Sequence, residues 1–231
     1  MIDRFSWMAI YPEIVLLAMT CVITLVDLLD RGPRRMAAYL LSILTLVVLA
    51  VLTAMYAMSG QTVYGFGGMV IFVYSRTYVA DRGMLRGAEW YVLSLMSLLG
   101  VFVMVAANNF LLIYLGLECM ALSAYALVAL RRDHVTSAEA AMKYFVLSAM
   151  ASGFLLYGLS MLYGATGTLD IGGVVRAVGS GQIKHQVLVF GLVFVVAGLA
   201  FKSGLVPFHM WPPDAYERAP TAVTPITGSA P

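Results

Sequence analysis

The sequence predicts an all-α protein, a polytopic bundle of membrane-spanning helices, and three observations lead there. Of 231 residues, 61% are hydrophobic and only 11% charged, with a mean hydropathy of +0.90; soluble domains lie nearer half apolar and a quarter charged. The apolar residues form continuous runs, without the two-residue alternation of a transmembrane barrel. A spanning helix needs roughly 20 apolar residues, so the hydrophobic fraction supplies about six or seven spans. A soluble globular domain, a disordered chain and a DNA-binding module with a basic surface are excluded. The formal net charge of +2 calls for no anionic partner, and no nucleic acid is expected to bind.

Residues 1–231 form one membrane domain on this reading. Ala9–Leu29 is the first span, with Pro12 and Glu13 in its opening turn, where a proline costs least. It is too long for a signal h-region and lacks a small-residue cleavage site, so it is a retained span. Met36–Met58 is the second span, and Tyr91–Ala107 is separated from Phe110–Leu130 only by Asn108 and Asn109. Ala138–Tyr163 and Gln186–Trp211 follow, and from Asp214 the tail resembles the entry to another helix. Between the charge-free stretch near Gly65 and the basic loop at Arg76 the chain must cross the membrane once more. The available run, Val63–Val73, holds three glycines and rises only about 17 Å as a helix, against a hydrocarbon core of about 30 Å. Either the segment is re-entrant or distorted or the chain lacks part of a helix there, and missing sequence is the favoured expectation.

Basic residues set the orientation. Arg31, Arg34 and Arg35 mark the first loop as cytoplasmic, as do Arg76, Arg82 and Arg86, then Arg131 and Arg132. The Gly60–Gly68 stretch and the Asn108–Asn109 turn carry no cation and belong outside, which places the N-terminus in the periplasm. Gly164–His185 falls outside too, as a long loop. Cys21 and Cys119 lie in apolar runs with no Cys or His at metal spacing, so neither a metal site nor a disulfide is expected.

A charge at mid-bilayer costs roughly 2.5–3.5 kcal/mol on insertion scales and faces protein or water where it occurs. Eleven arginines keep to loops and helix ends, whereas two of three lysines lie inside apolar runs. Arginine cannot release its proton in a protein, and a buried lysine can. Glu118 lies deep in Phe110–Leu130, with Tyr114 and Tyr125 on its face. Lys143 follows a capping-box sequence, Thr136-Ser137-Ala138-Glu139, whose glutamate is also its i−4 partner. Lys202 and His209, seven residues apart, share a face of Gln186–Trp211, and Pro207 between them should break that helix. Broken helices at membrane depth are typical of transport sites. Plainer readings exist: Glu118 as a structural acid, Lys143 snorkelling toward the cytoplasm, His209 packed at the membrane edge. Packed together, Glu118, Lys143 and Lys202 would form a hydrated polar layer near mid-membrane. No nucleophile–base pair, phosphate loop or nucleotide fingerprint accompanies them, so bond-breaking chemistry within this chain is not expected.

Three stretches carry a family resemblance: LIYLGLECMALSAYALVAL from Leu112, EAAMKYFVLSAMASGFLLYGLSMLYGATG from Glu139, and GLAFKSGLVPFHMWPPDAYERAPT from Gly198. They resemble the subunit N family of proton-translocating NADH:quinone oxidoreductase (respiratory complex I). Its wider relatives are the other antiporter-like subunits of that complex and subunits of multisubunit cation/proton antiporters. The resemblance implies a bacterial inner-membrane subunit of fourteen spanning helices in two inverted five-helix repeats, each with one broken helix. It implies Glu118 as the fifth-helix glutamate, Lys143 as the sixth-helix lysine, and Lys202 with His209 on the broken seventh helix. In that family a Glu–Lys pair governs proton uptake and release. Partners would be the other complex I membrane subunits, which with the rest of the complex hold NAD, FMN, iron–sulfur clusters and quinone; no cofactor is expected in this chain.

Departures from the family pattern are specific. Most of the third helix is absent around Gly68–Ile71, and the chain stops at Pro231, within the eighth helix, so it resembles an N-terminal half. Pro212 stands where the family has Thr or Val before its Pro-Asp, and Tyr216-Glu217-Arg218 precedes Ala219-Pro220 where it has a Gly. Pro225 interrupts the last helix. The expected mechanism has Lys202 as the exchangeable proton carrier, Glu118 stabilising its charged form, and Lys143 and His209 relaying protons to the cytoplasmic side. The alternatives are a cation/proton antiporter subunit without electron transfer and a structural half-subunit.

Overall fold

The computed structural model describes residues 4–29, 36–55, 59–82, 88–131, 134–181, 183–206 and 208–225. Among them the chain forms α1 (Arg4–Leu29), α2 (Met36–Met55), α3 (Ser59–Asp81), α4 (Glu89–Ala106), α5 (Phe110–Val128), α6 (Val135–Thr166), α7 (Ile171–Ser180), α8 (His185–Lys202) and α9 (Trp211–Arg218). Six of these are long and apolar enough to cross a membrane: the Ile10–Leu29 part of α1, then α2, α4, α5, α6 and α8. The expected all-helical polytopic bundle is therefore what forms.

Four expectations need correction. The stub at Val63–Val73 is the middle of α3, a continuous helix of 23 residues and so about 35 Å long. Composition marks only its apolar centre, whereas backbone hydrogen bonding carries the helix through polar flanks such as Ser75 to Tyr78. The Gly164–His185 loop contains α7, capped by Asp170, whose side chain accepts from the Gly173 amide at 2.9 Å. α6 starts at Val135 behind His134, so Thr136 lies inside the first turn and bonds the His134 ring at 2.6 Å. The span ending at Trp211 stops instead at Lys202. Arg31, Arg34, Arg35, Arg86, Arg132 and Pro207 lie outside the described residues.

Small residues set the helix spacing, as expected where lipid supplies no hydrophobic force between helices. α4 meets α5 at Gly100 and Gly116: a Cβ on Gly100 would lie 2.5 Å from the Gly116 carbonyl oxygen. α6 meets α8 likewise, a Cβ on Gly158 falling 2.7 Å from the Val195 nitrogen and one on Gly198 2.8 Å from the Leu155 Cβ. A short bridge joins Asn109, the cap of α5, to Asp170, the cap of α7. The Asn108–Asn109 turn and the α6–α7 turn thus lie at the same end of the bundle. In the other half, α1–α4 close around Leu16, Ile23, Leu46, Phe72, Trp90, Tyr91 and Phe102.

Candidate functional site

The site forms where α5, α6 and the end of α8 converge. α8 is stopped by Gly204, whose φ of +63° places it in the left-handed region open to glycine at little cost. The Gly204 amide donates to the Phe201 carbonyl at 3.0 Å and the Leu205 amide to the Ala200 carbonyl at 2.8 Å. These two bonds are the paired closure of a Schellman motif. The break therefore begins ahead of Pro207, and glycine supplies it. Lys202 becomes the last residue of α8, where the negative end of the helix dipole favours a cation.

Trp211, at the start of α9, folds back over this end. Its indole N–H donates to the Phe201 carbonyl at 2.9 Å, and its ring stacks on Tyr144 of α6 at 4.5 Å. Tyr144 in turn meets Tyr125 of α5 edge-on at 4.7 Å. An aromatic wall thus runs from the break across α6 to α5.

Behind the wall, Lys202 Nζ lies 3.7 Å from Glu118 Oε2, with the lysine side chain 10% and the glutamate side chain 22% exposed. At that distance and an effective dielectric near 20, the attraction is about 4 kcal/mol. Lys202 also donates to Ser148 Oγ at 2.9 Å and to the Tyr125 hydroxyl at 3.2 Å. Tyr125 donates to Ser148 Oγ at 2.6 Å, and Ser152 Oγ donates to Glu118 Oε2 at 2.6 Å. The cluster is a carboxylate, an ammonium and three hydroxyls, connected by protons that oxygen and nitrogen can exchange. Among the described residues no three His, Cys, Asp or Glu side chains gather as a metal site.

Two of the four sequence-predicted residues meet, then, and two do not. Lys143 ion-pairs with Glu139 at 2.7 Å on a half-exposed face of α6. The layer of Glu118, Lys143 and Lys202 is reduced to Glu118 with Lys202, because α6 turns Ser148 and Ser152 inward rather than Lys143. His209 does not share a helical face with Lys202: the helix ends first, and His209 is exposed in the turn before α9. Of the tyrosines on the Glu118 face, Tyr125 reaches the pair, whereas Tyr114 packs by Leu159, Leu162 and Leu188. Ser148, Ser152 and Trp211 were not singled out from the sequence. The i, i+4, i+8 spacing of Tyr144, Ser148 and Ser152 in an apolar run is the signal that could have found the first two.

A family profile described as "NADH:quinone oxidoreductase/Mrp antiporter, TM" matches residues 107–230, which include every residue of this site. The chain belongs to that antiporter-like membrane family. Within it, the chain is 60% identical over its whole length to NADH-quinone oxidoreductase subunit N of Polaromonas naphthalenivorans, of which it covers 50%. It thus spans about half the length of the curated relatives it matches. Among solved structures it is similar to a chain of respiratory complex I from Thermus thermophilus with bound aureothin. That likeness has a TM-score of 0.69 and 27% identity, covering 94% of this chain and 49% of the other. A chain of the Mrp complex from a Dietzia species matches with a TM-score of 0.75 over 96% of this chain and 46% of its own, at 17% identity, which shows a shared antiporter-like fold.

Proposed function

We propose that this chain is the first half of a membrane-arm subunit of a bacterial NADH:quinone oxidoreductase, and that Glu118 and Lys202 carry its proton traffic. The observation that supports the reading most is the Lys202–Glu118 pair itself, held inside the bundle at a helix break. A lysine at this place can exist with or without its proton, and the nearby carboxylate decides how readily it lets go. Tyr125 and Ser148 accept hydrogen bonds from the ammonium and can pass a proton on without themselves becoming charged for long. Lys143, at the half-exposed face of α6, and His209, beyond the break, are the proposed relays toward the cytoplasmic side.

NAD, FMN, iron–sulfur clusters and quinone belong in this reading to partner subunits, and other membrane subunits of the complex are the neighbours. The N-terminus is assigned to the periplasmic side. The 60% identity to a subunit N favours the redox complex over an antiporter. The alignment with the Polaromonas relative runs over 250 positions, more than the 231 residues of this chain, so the relative carries residues that this chain lacks.

The test uses inverted membrane vesicles carrying the assembled complex. Lys202→Ala should remove most proton movement per NADH oxidised, and Lys202→Arg, which keeps the charge but cannot release it, should do the same. An unchanged proton-to-electron ratio in both variants would refute the assignment.

A further inference from the structure

Glu118 and Lys202 are adjacent but do not form a closed salt bridge. Their nearest atoms are 3.7 Å apart, whereas a carboxylate–ammonium hydrogen bond closes to about 2.7–2.9 Å. Each partner instead makes a shorter contact with α6. Ser152 Oγ lies 2.6 Å from Glu118 Oε2, and Ser148 Oγ lies 2.9 Å from Lys202 Nζ. Both serines are buried, one helical turn apart on the same face.

We propose that Ser148 and Ser152 are positioning residues that hold the ammonium and the carboxylate apart as a loose pair, so that one helix decides whether the pair closes. This rests on the reading of Glu118 and Lys202 as proton-handling groups. The two hydroxyls act in opposite senses. Ser152 donates a hydrogen bond to the carboxylate and so occupies an acceptor site on Oε2, the same oxygen that Lys202 approaches. Ser148 accepts from the ammonium and satisfies one of its three donors. Without Ser152, Glu118 Oε2 loses its hydroxyl donor, Lys202 Nζ is the donor left beside it, and the pair closes. Without Ser148 the ammonium loses an acceptor that its buried place does not replace. Tyr125 completes the seat of the lysine, since its hydroxyl accepts from Nζ and donates to the same Ser148 oxygen. A sliding or tilt of α6 past α5 and α8 therefore changes both contacts together. A closed pair would hold its proton tightly; one separated too far would leave two buried charges without partners, which is costly.

The full chain in detergent provides the test, independent of pumping. It has three lysines, so acylation of Lys202 by an amine reagent can be measured by mass spectrometry against Lys184 in the same molecule. Only the neutral amine, which has a free lone pair, attacks the acyl carbon of the reagent and displaces its leaving group. Ser148→Ala should acylate faster at Lys202 and Ser152→Ala slower, each by about two- to tenfold, the factor that one ordinary hydrogen bond sets. Ser148→Thr and Ser152→Thr keep the hydroxyl and should label at the parent rate. Shifts of the same sign in both alanine variants, no shift, or threonine variants that behave as alanine would each overturn the proposal. The reading of Lys202 as proton carrier fails on different evidence, an unchanged proton-to-electron ratio, so the two failures are distinguishable.

Discussion

Two aromatic clusters in this protein use the same residue types to opposite ends. Between α3 and α4, Phe72, Trp90 and Tyr91 meet at centroid distances of 5.0 to 5.7 Å, and Tyr91 also faces Tyr39, on whose ring the Arg76 guanidinium sits at 4.0 Å. Trp90 and Tyr91 are fully buried, yet the indole N–H and the phenol oxygen have no hydrogen-bond partner among the described residues. Around α6, Tyr125, Tyr144 and Trp211 pack at similar distances, but there the Trp211 indole and the Tyr125 hydroxyl are engaged. The first cluster fills volume. The second turns its polar atoms toward a lysine and the end of the helix that carries it. Burial alone thus does not mark a functional aromatic; the fate of its polar atom does.

Truncation in the first cluster gives the largest expected effect. Trp90→Ala empties a site beside Phe72 and Tyr91 and should cost about 3–5 kcal/mol, the usual range for a buried aromatic cut to alanine. Equilibrium unfolding in mixed detergent micelles measures it. Acylation of Lys202, read before the unfolding transition, should stay at the parent rate. A changed rate would show that the two clusters are one unit.

A smaller effect is expected at the break. Gly204→Ala forces a side chain into the left-handed region, where its Cβ would also meet Pro212 Cγ at 2.8 Å. The backbone part alone costs about 1–2 kcal/mol. The consequence for the site should exceed that for stability, because Gly204 ends the helix on which Lys202 is the last residue. The variant should unfold only slightly more easily while Lys202 acylation changes severalfold, both measured on one sample. A loss of stability with an unmoved lysine would mean that α9, through Trp211, holds the break without help from the glycine.

These positions also show what the sequence could and could not convey. Spans and the unusual charges were legible because the membrane penalises both polar backbone and charge, so long apolar runs and an acid such as Glu118 stand out by composition. Helix ends were not, since α3 continues through residues whose polarity masks it and α8 stops at a glycine that an apolar run absorbs. Lys143 looked embedded by its position along the chain, but which face it occupies depends on how α6 rotates against α5 and α8, and the glycines at that seam fix this only in three dimensions. Ser148 and Ser152 were hidden for the converse reason. Serine is common in membrane helices, and its value here comes entirely from two partners on other helices.

The finest comparison is one atom in each cluster. Tyr91→Phe removes a buried hydroxyl that has no hydrogen-bond partner among the described residues, so it should leave stability unchanged or raise it by up to about 1 kcal/mol, since an unsatisfied buried polar group is a cost in the folded state. Tyr125→Phe removes a hydroxyl that donates to Ser148 and accepts from Lys202, and should lower stability by about 1 kcal/mol. The same change therefore carries opposite signs 34 positions apart in the sequence. Only the second should touch the lysine: without the tyrosine oxygen, Lys202 keeps Ser148 as its hydroxyl acceptor and should acylate faster than in the parent. Parallel unfolding and labelling of the two phenylalanine variants decides it. If Tyr91→Phe destabilised as much as Tyr125→Phe, the phenol of the first cluster would have a partner in the membrane. The distinction between a cluster that fills space and one that holds a proton site would then rest on Lys202 alone.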